Sequence, residues 1–118
     1  MAGVTFGLRR TECAVIETWG HCGDNEATTS GWPNNHEGTA VTWFTAQTAS
    51  ITEVYWFAAY AYDGRVATMG IRVHPTQGLY FADDSIPAIL DPVAAVSGFG
   101  FYVDDGPVMC PEPLPARG

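Results

Sequence analysis

Residues 51–73, ITEVYWFAAYAYDGRVATMGIRV, form the longest continuous apolar run in the chain, and Asp63-Gly64 interrupts it near its middle. Asp-Gly between two apolar runs is a strong short-range hairpin signal, because a type I′ turn needs two residues that tolerate positive φ. The pattern predicts adjacent antiparallel strands at residues 54–62 and 65–73. Counting outwards from the turn, Tyr62 faces Arg65, Tyr60 faces Ala67, Ala58 faces Met69, Trp56 faces Ile71 and Val54 faces Val73. Side chains alternate along a strand, so these residues share one face, which is nearly all apolar and is assigned to the core. The other face pairs Phe57 with Gly70, Tyr55 with Arg72 and Glu53 with His74. Aromatic and charged groups mixed in this way read as a recognition surface.

A helix competes for the first half of this run. Ser50-Ile51-Thr52-Glu53 has the form of a capping box, and Gly64 could stop a helix after Tyr62. Against it stand Tyr55-Trp56-Phe57 and the β-branched Ile51, Thr52 and Val54, which favour a pleated strand. Strand is the reading; an α+β fold with a helix at 51–62 is the alternative.

The rest of the chain supplies more short strands. Residues 3–10 alternate through Val4, Phe6 and Leu8, and residues 12–19 read as a second strand, apolar on both faces. Residues 20–38 are rich in turn formers, and a connection of that length in a small domain is usually functional. Residues 39–48, 79–82, 98–103 and 108–110 are strand-like, whereas Pro87 and Pro92 limit residues 86–97 to at most one short helical turn. The sum is an all-β domain over residues 1–110: a β-sandwich, jelly-roll-like, or a small barrel, of seven to eight short antiparallel strands. Residues 111–118 form an extended, proline-rich tail.

Charge narrows the partners. Thirteen acidic residues oppose five arginines, lysine is absent, and the net charge is -8. Nucleic acid and anionic membranes both need a basic footprint, so both are excluded as partners. No apolar run spans a bilayer without interruption, so no membrane insertion is expected. Residues 1–5 have neither a basic nor an apolar signal-peptide region, so no signal peptide is expected in this chain, and an extracellular or particle-associated setting is favoured. Of the three cysteines, Cys13 and Cys22 are the expected pair if any bridge forms, leaving Cys110 free.

Candidate chemistry is sparse. His21, Cys22, Asp24, Glu26, His36 and Glu37 are possible ligands for zinc, but their spacing matches no established zinc pattern. Asp83-Asp84 and Asp104-Asp105 each end a predicted strand and could together offer calcium four carboxylates, or give a hydrolase its paired acids. Aspartate also favours turns for its own sake. No Gly-x-Ser-x-Gly elbow is present, and a phosphate loop of the Walker type is impossible without lysine.

Four tryptophans, five tyrosines and six phenylalanines exceed what one small core needs. Trp32 stands in a polar context, Gly31-Trp32-Pro33-Asn34-Asn35, where an exposed ring implies a ligand. Rings flanked by polar groups suit the apolar face and hydroxyls of a sugar. The expected function is therefore a non-catalytic, lectin-like binding protein for a glycan or other small polar ligand. Its expected site comprises Trp32, Asn34, Asn35, Glu53, Tyr55, Phe57, Arg72 and His74. A self-assembling or virion structural protein, homo-oligomeric through the same rings, is the second expectation. A hydrolase using paired aspartates is the third.

Overall fold

The structure is a computed structural model that describes residues 1–11, 14–61, 67–101 and 112–113. It is all strand: β1 (Gly3–Arg10), β2 (Ala14–His21), β3 (Asn25–Thr28), β4 (Gly38–Thr42), β5 (Tyr55–Ala61), β6 (Ala67–Arg72), β7 (Tyr80–Ala82), β8 (Leu90–Pro92), β9 (Ala95–Val96), β10 (Gly98–Phe101) and β11 (Glu112–Pro113). Seven strands join in one antiparallel sheet, while β2 pairs with β5 and β9 with β11 in separate two-stranded ribbons.

β1 is the axis of the main sheet. One of its edges takes β4, with Val4 opposite Val41 and Phe6 opposite Thr39. Its other edge is shared end to end, β7 pairing with Gly3 to Thr5 and β6 with Gly7 to Arg10. Beyond these lie β3 on β4, β10 on β6 and β8 on β7. The alternation read in β1 now has its cause. Val4, Phe6 and Leu8 point to one side and are buried with Val41, Met69 and Leu79. Burying a side chain such as Leu8 fully contributes about 1.5–3 kcal/mol.

The β2–β5 ribbon covers this apolar face. Ala14, Ile16, Tyr55, Phe57, Ala59 and Ala61 pack into the core from the ribbon side, and the register slips by one residue between Ile16 and Thr18. Two strands cannot cover an inner face five strands wide, so part of that face stays open.

The central hairpin is corrected by this arrangement. Both edges of β6 are occupied, by β1 and β10, and β5 pairs with β2. The chain passes from the ribbon at Ala61 to the main sheet at Ala67, so the two apolar runs meet through side chains and not through backbone hydrogen bonds. The faces of β5 invert as a result. Tyr55 and Phe57 turn inward, whereas Trp56 and Ala58 are exposed. On β6 the expected core face, Met69 and Ile71, is the observed one. The alternative helix at 51–62 does not form over 51–61, and Tyr62 and the Asp63-Gly64 turn lie outside the described residues.

Other boundaries moved. The strand expected over 39–48 ends at Thr42, and the 20–38 connection contains β3. Residues 86–97 hold β8 and β9 instead of a helical turn, Pro92 being tolerated at the last position of a strand on the sheet edge. Cys22 is a free, exposed thiol, so the bridge expected to Cys13 is not formed. The extended β2 explains why, since seven residue steps hold Ala14 and His21 roughly 23 Å apart. Cys13, Cys110 and the strand expected at 108–110 lie outside the described residues.

Candidate functional site

The expected site residues separate into three places. Trp32, Asn34 and Asn35 anchor the connection between β3 and β4 to the end of β1. Asn34 Oδ1 accepts from Arg10 Nη2 at 2.8 Å, and Asn35 Oδ1 accepts from the Arg10 backbone N–H at 2.9 Å. The backbone of Leu8 exchanges further bonds with His36 and Glu37. Pinned on both sides, Trp32 is driven into the core and is only 8% exposed, against the expectation of a solvent-facing ring.

Arg72 and His74 lie at the end of β6. Arg72 Nη1 meets His36 Nδ1, and Gly7 opposite leaves space for the arginine stem. His74 is 3% exposed. Its Nδ1 accepts from the backbone N–H groups of Thr76 and Gln77, both at 3.1 Å, which places the proton of the neutral ring on Nε2. Burial holds its pKa below the usual value, and the carboxylate of Glu37 opposes that shift.

Glu53, Tyr55 and Phe57 form the third group, and these line a cleft. Its volume is about 690 Å³. Val4, Phe6, Ile71, Leu79 and Phe81 form the main-sheet wall, Tyr55 and Phe57 the ribbon wall, and Val93, Ala95 and Val96 close one side. Tyr55 and Phe57 stack at 4.9 Å with planes 29° apart. The polar lining, Cys22, Thr52, Glu53 and Ser97, comes from the segments that flank these walls. A second, smaller cavity of about 320 Å³ lies between Phe57, Ala59, Met69 and Phe99, so Phe57 is a wall common to both.

Behind the cleft runs a partly buried polar chain. Trp32 Nε1 donates to Tyr55 Oη at 2.7 Å, the Tyr55 hydroxyl donates to the Glu26 carboxylate, and Thr39 Oγ1 donates to Glu26 Oε2 at 2.7 Å. Burial, reinforced by Glu26, raises the Tyr55 pKa well above its ordinary 10.0, and the Trp32 N–H opposes that shift. The phenol therefore stays protonated at neutral pH and acts as a structural donor.

Several of the candidate metal ligands, Asp24, Glu26, His36, Glu37 and Asp83, have other partners. Among the described residues no three His, Cys, Asp or Glu side chains form a group that could hold an ion. Glu37 accepts from Thr29 and Gly31, and Asp24 accepts from the Phe44 N–H at 2.7 Å. Asp83 accepts from the backbone N–H groups of Ser85 and Ile89 and from the Ser85 hydroxyl, bonds that lower its pKa. Asp84 is exposed beside it, and Asp104 and Asp105 lie outside the described residues.

Sequence reasoning missed the cleft wall at Leu79, Phe81, Val93 and Val96. A signal was present: residues 86–96 carry too many apolar side chains for a solvated connection, in spite of two prolines. No protein-family model, curated protein or solved structure matches the chain.

Proposed function

We propose that the protein is a non-catalytic binding protein whose ligand places an apolar group in the cleft between the ribbon and the main sheet. The observation that carries this reading is the cleft itself, about 690 Å³ and walled by aromatic and branched aliphatic side chains. Ligand sites are typically apolar concavities of roughly 300–1,000 Å³ with a few polar groups that fix orientation. Here Glu53, Thr52 and Ser97 supply those groups. Among the described residues the lining contains one carboxylate and no histidine, and its phenol is tied to Glu26, which supports binding over acid–base chemistry.

The test is a titration of the uncharged fluorescent probe N-phenyl-1-naphthylamine into submicromolar protein. Emission should rise saturably, and Val93→Asp, which puts a charge in the apolar wall, should weaken binding at least about tenfold. No saturable emission, or equal affinity in the variant, would refute the reading.

Carbohydrate recognition is the second reading, and Trp56 favours it. Its indole lies flat on Gly20, where an added Cβ would stand 2.8–2.9 Å from the ring atoms. One ring face is thus held against the backbone while the residue is half exposed on the side of β5 opposite Tyr55 and Phe57, at the rim of the cleft. That is the geometry on which the apolar face of a pyranose stacks. A glycan array probed with and without calcium, using wild type and Trp56→Ala, tests it. Hits lost in the variant support a sugar ligand, and an array without hits ends this reading.

A further inference from the structure

The connection from β7 to β8 is an ordered apolar finger. Ile86 is 99% exposed, Ile89 60% and Leu90 56%, with Pro87 and Ala88 exposed between them. Such a patch on an untethered loop would fold back or fluctuate. Here Asp83 holds the loop shape: its carboxylate takes the N–H groups of Ser85 at 3.0 Å and Ile89 at 2.8 Å, and the Ser85 hydroxyl at 3.1 Å. Branched apolar side chains are therefore presented to water on a fixed framework, which marks an interaction surface.

The same chain carries an apolar cleft at the root of this finger. Phe81, in β7, and Val93, just after β8, both line the cleft, so finger and cleft are adjacent on the molecule. We infer that the occupant of the cleft is the finger of a second copy of this chain, exchanged reciprocally about a two-fold axis. This rests on the cleft being a binding site, as proposed above, and names its partner.

Area supports the reciprocal arrangement. The exposed fractions of Ile86, Ile89 and Leu90 amount to roughly 400 Å² of apolar surface, and covering a cleft mouth buries about as much again. One such contact, roughly 800 Å² in total, is the size of a crystal contact; two, related by a two-fold axis, reach roughly 1,600 Å², the standard for a stable pair. Because finger and cleft adjoin, a single two-fold axis brings both contacts together, and an isologous interface closes without forming a filament. Charge sets the conditions. Asp84 and Asp91 flank the finger and Glu53 lines the cleft, so like charges approach across the contact and added salt should tighten it.

Sedimentation velocity from about 1 to about 100 µM tests the inference, with the probe titration as a second readout. Wild type should reach twice the 12.7 kDa chain mass, more readily at higher salt. Ile86→Asp with Ile89→Asp, at positions that support no core packing, should leave a monomer. Ala95→Leu, which narrows the cleft without adding charge, should weaken the dimer at least about tenfold. The probe should bind the monomeric finger variant with an affinity independent of protein concentration. In wild type it should compete with the finger, so its apparent affinity falls as protein concentration rises. A wild type that stays monomeric at about 100 µM yet binds the probe overturns the inference and leaves the cleft reading standing. A dimer that survives the double finger substitution also overturns it. A monomeric finger variant that fails to bind the probe removes the cleft as a site, and the inference with it.

Discussion

The indole N–H of Trp32 donates to the phenol oxygen of Tyr55 at 2.7 Å, and the two rings meet edge to face with centroids 5.4 Å apart. Phe6 meets both rings edge-on from the main sheet, at 5.7 Å and 6.0 Å. Three elements distant in sequence thus close one end of the sandwich, and the ring that completes the cluster is also a wall of the cleft. Trp32→Ala should cost about 3–5 kcal/mol, the scale for deleting a buried large ring. Chemical denaturation read by circular dichroism measures it, and a loss below about 1 kcal/mol would mean that the indole is not packed as described.

Tyr55→Phe keeps the ring and removes the hydroxyl. Trp32 Nε1 then loses its acceptor and Glu26 one of its donors, so stability should fall by about 1–3 kcal/mol with little change in the cleft. The wild-type phenol also sets an alkaline limit. Its folded pKa exceeds the ordinary 10.0, so the folded state holds its proton where the unfolded state releases it. Stability should decline as pH rises above 10.0, and Tyr55→Phe should flatten that decline.

His74 acts at the other end of the scale. Its folded pKa lies below 6.5, so between the two values the unfolded state binds more protons than the folded one. The contribution of the neutral ring is fully present above pH 6.5 and is lost as pH falls through the folded pKa. Thermal unfolding followed from neutral pH down past 6.5 should show falling midpoints, and His74→Gln should reduce the slope. An unchanged slope would assign the acid sensitivity to other groups.

Gly38 lies directly against the His74 ring, where an added Cβ would collide with imidazole carbons. Gly38→Ala should therefore cost about 1–3 kcal/mol, the scale of overpacking, although its φ is not in the left-handed region. Equal stability in the variant would show that the imidazole moves aside freely.

Asp83→Ala should loosen the finger without unfolding the sheet. Asp83 lies outside the core and shapes only its own loop. Hydrogen exchange at the Ile89 amide should accelerate while amides of β1 keep their protection. Unchanged exchange at Ile89 would mean that the carboxylate is not what shapes the loop.

Much of the strand content was legible because it depends on local alternation. Val4, Phe6 and Leu8 face one way and small or polar residues the other, and one sheet face alone can bury them. The facing of β5 was not legible. Tyr55, Phe57 and Ala59 on one side and Trp56, Ala58 and Tyr60 on the other are similarly apolar, so the run itself cannot choose. The choice came from β1 and β10 occupying the edges of β6, a long-range fact that a turn dipeptide does not report. Trp32 misled for a related reason. Its polar neighbours Asn34 and Asn35 suggested solvent, yet they bond to Arg10 and fold the loop inward. The cleft was invisible because its walls come from strands far apart in sequence, Val4 on β1 and Val96 on β9 among them.

The most direct measurement on the cleft is methyl NMR of the monomeric finger variant during titration with N-phenyl-1-naphthylamine. Shifts should be confined to the methyl groups of Ile71, Leu79, Val93 and Val96, which line the cleft, while Leu8 and Val41, buried elsewhere in the core, stay unmoved. Shifts absent from the first group, or spread evenly over both, would contradict a ligand site between ribbon and sheet.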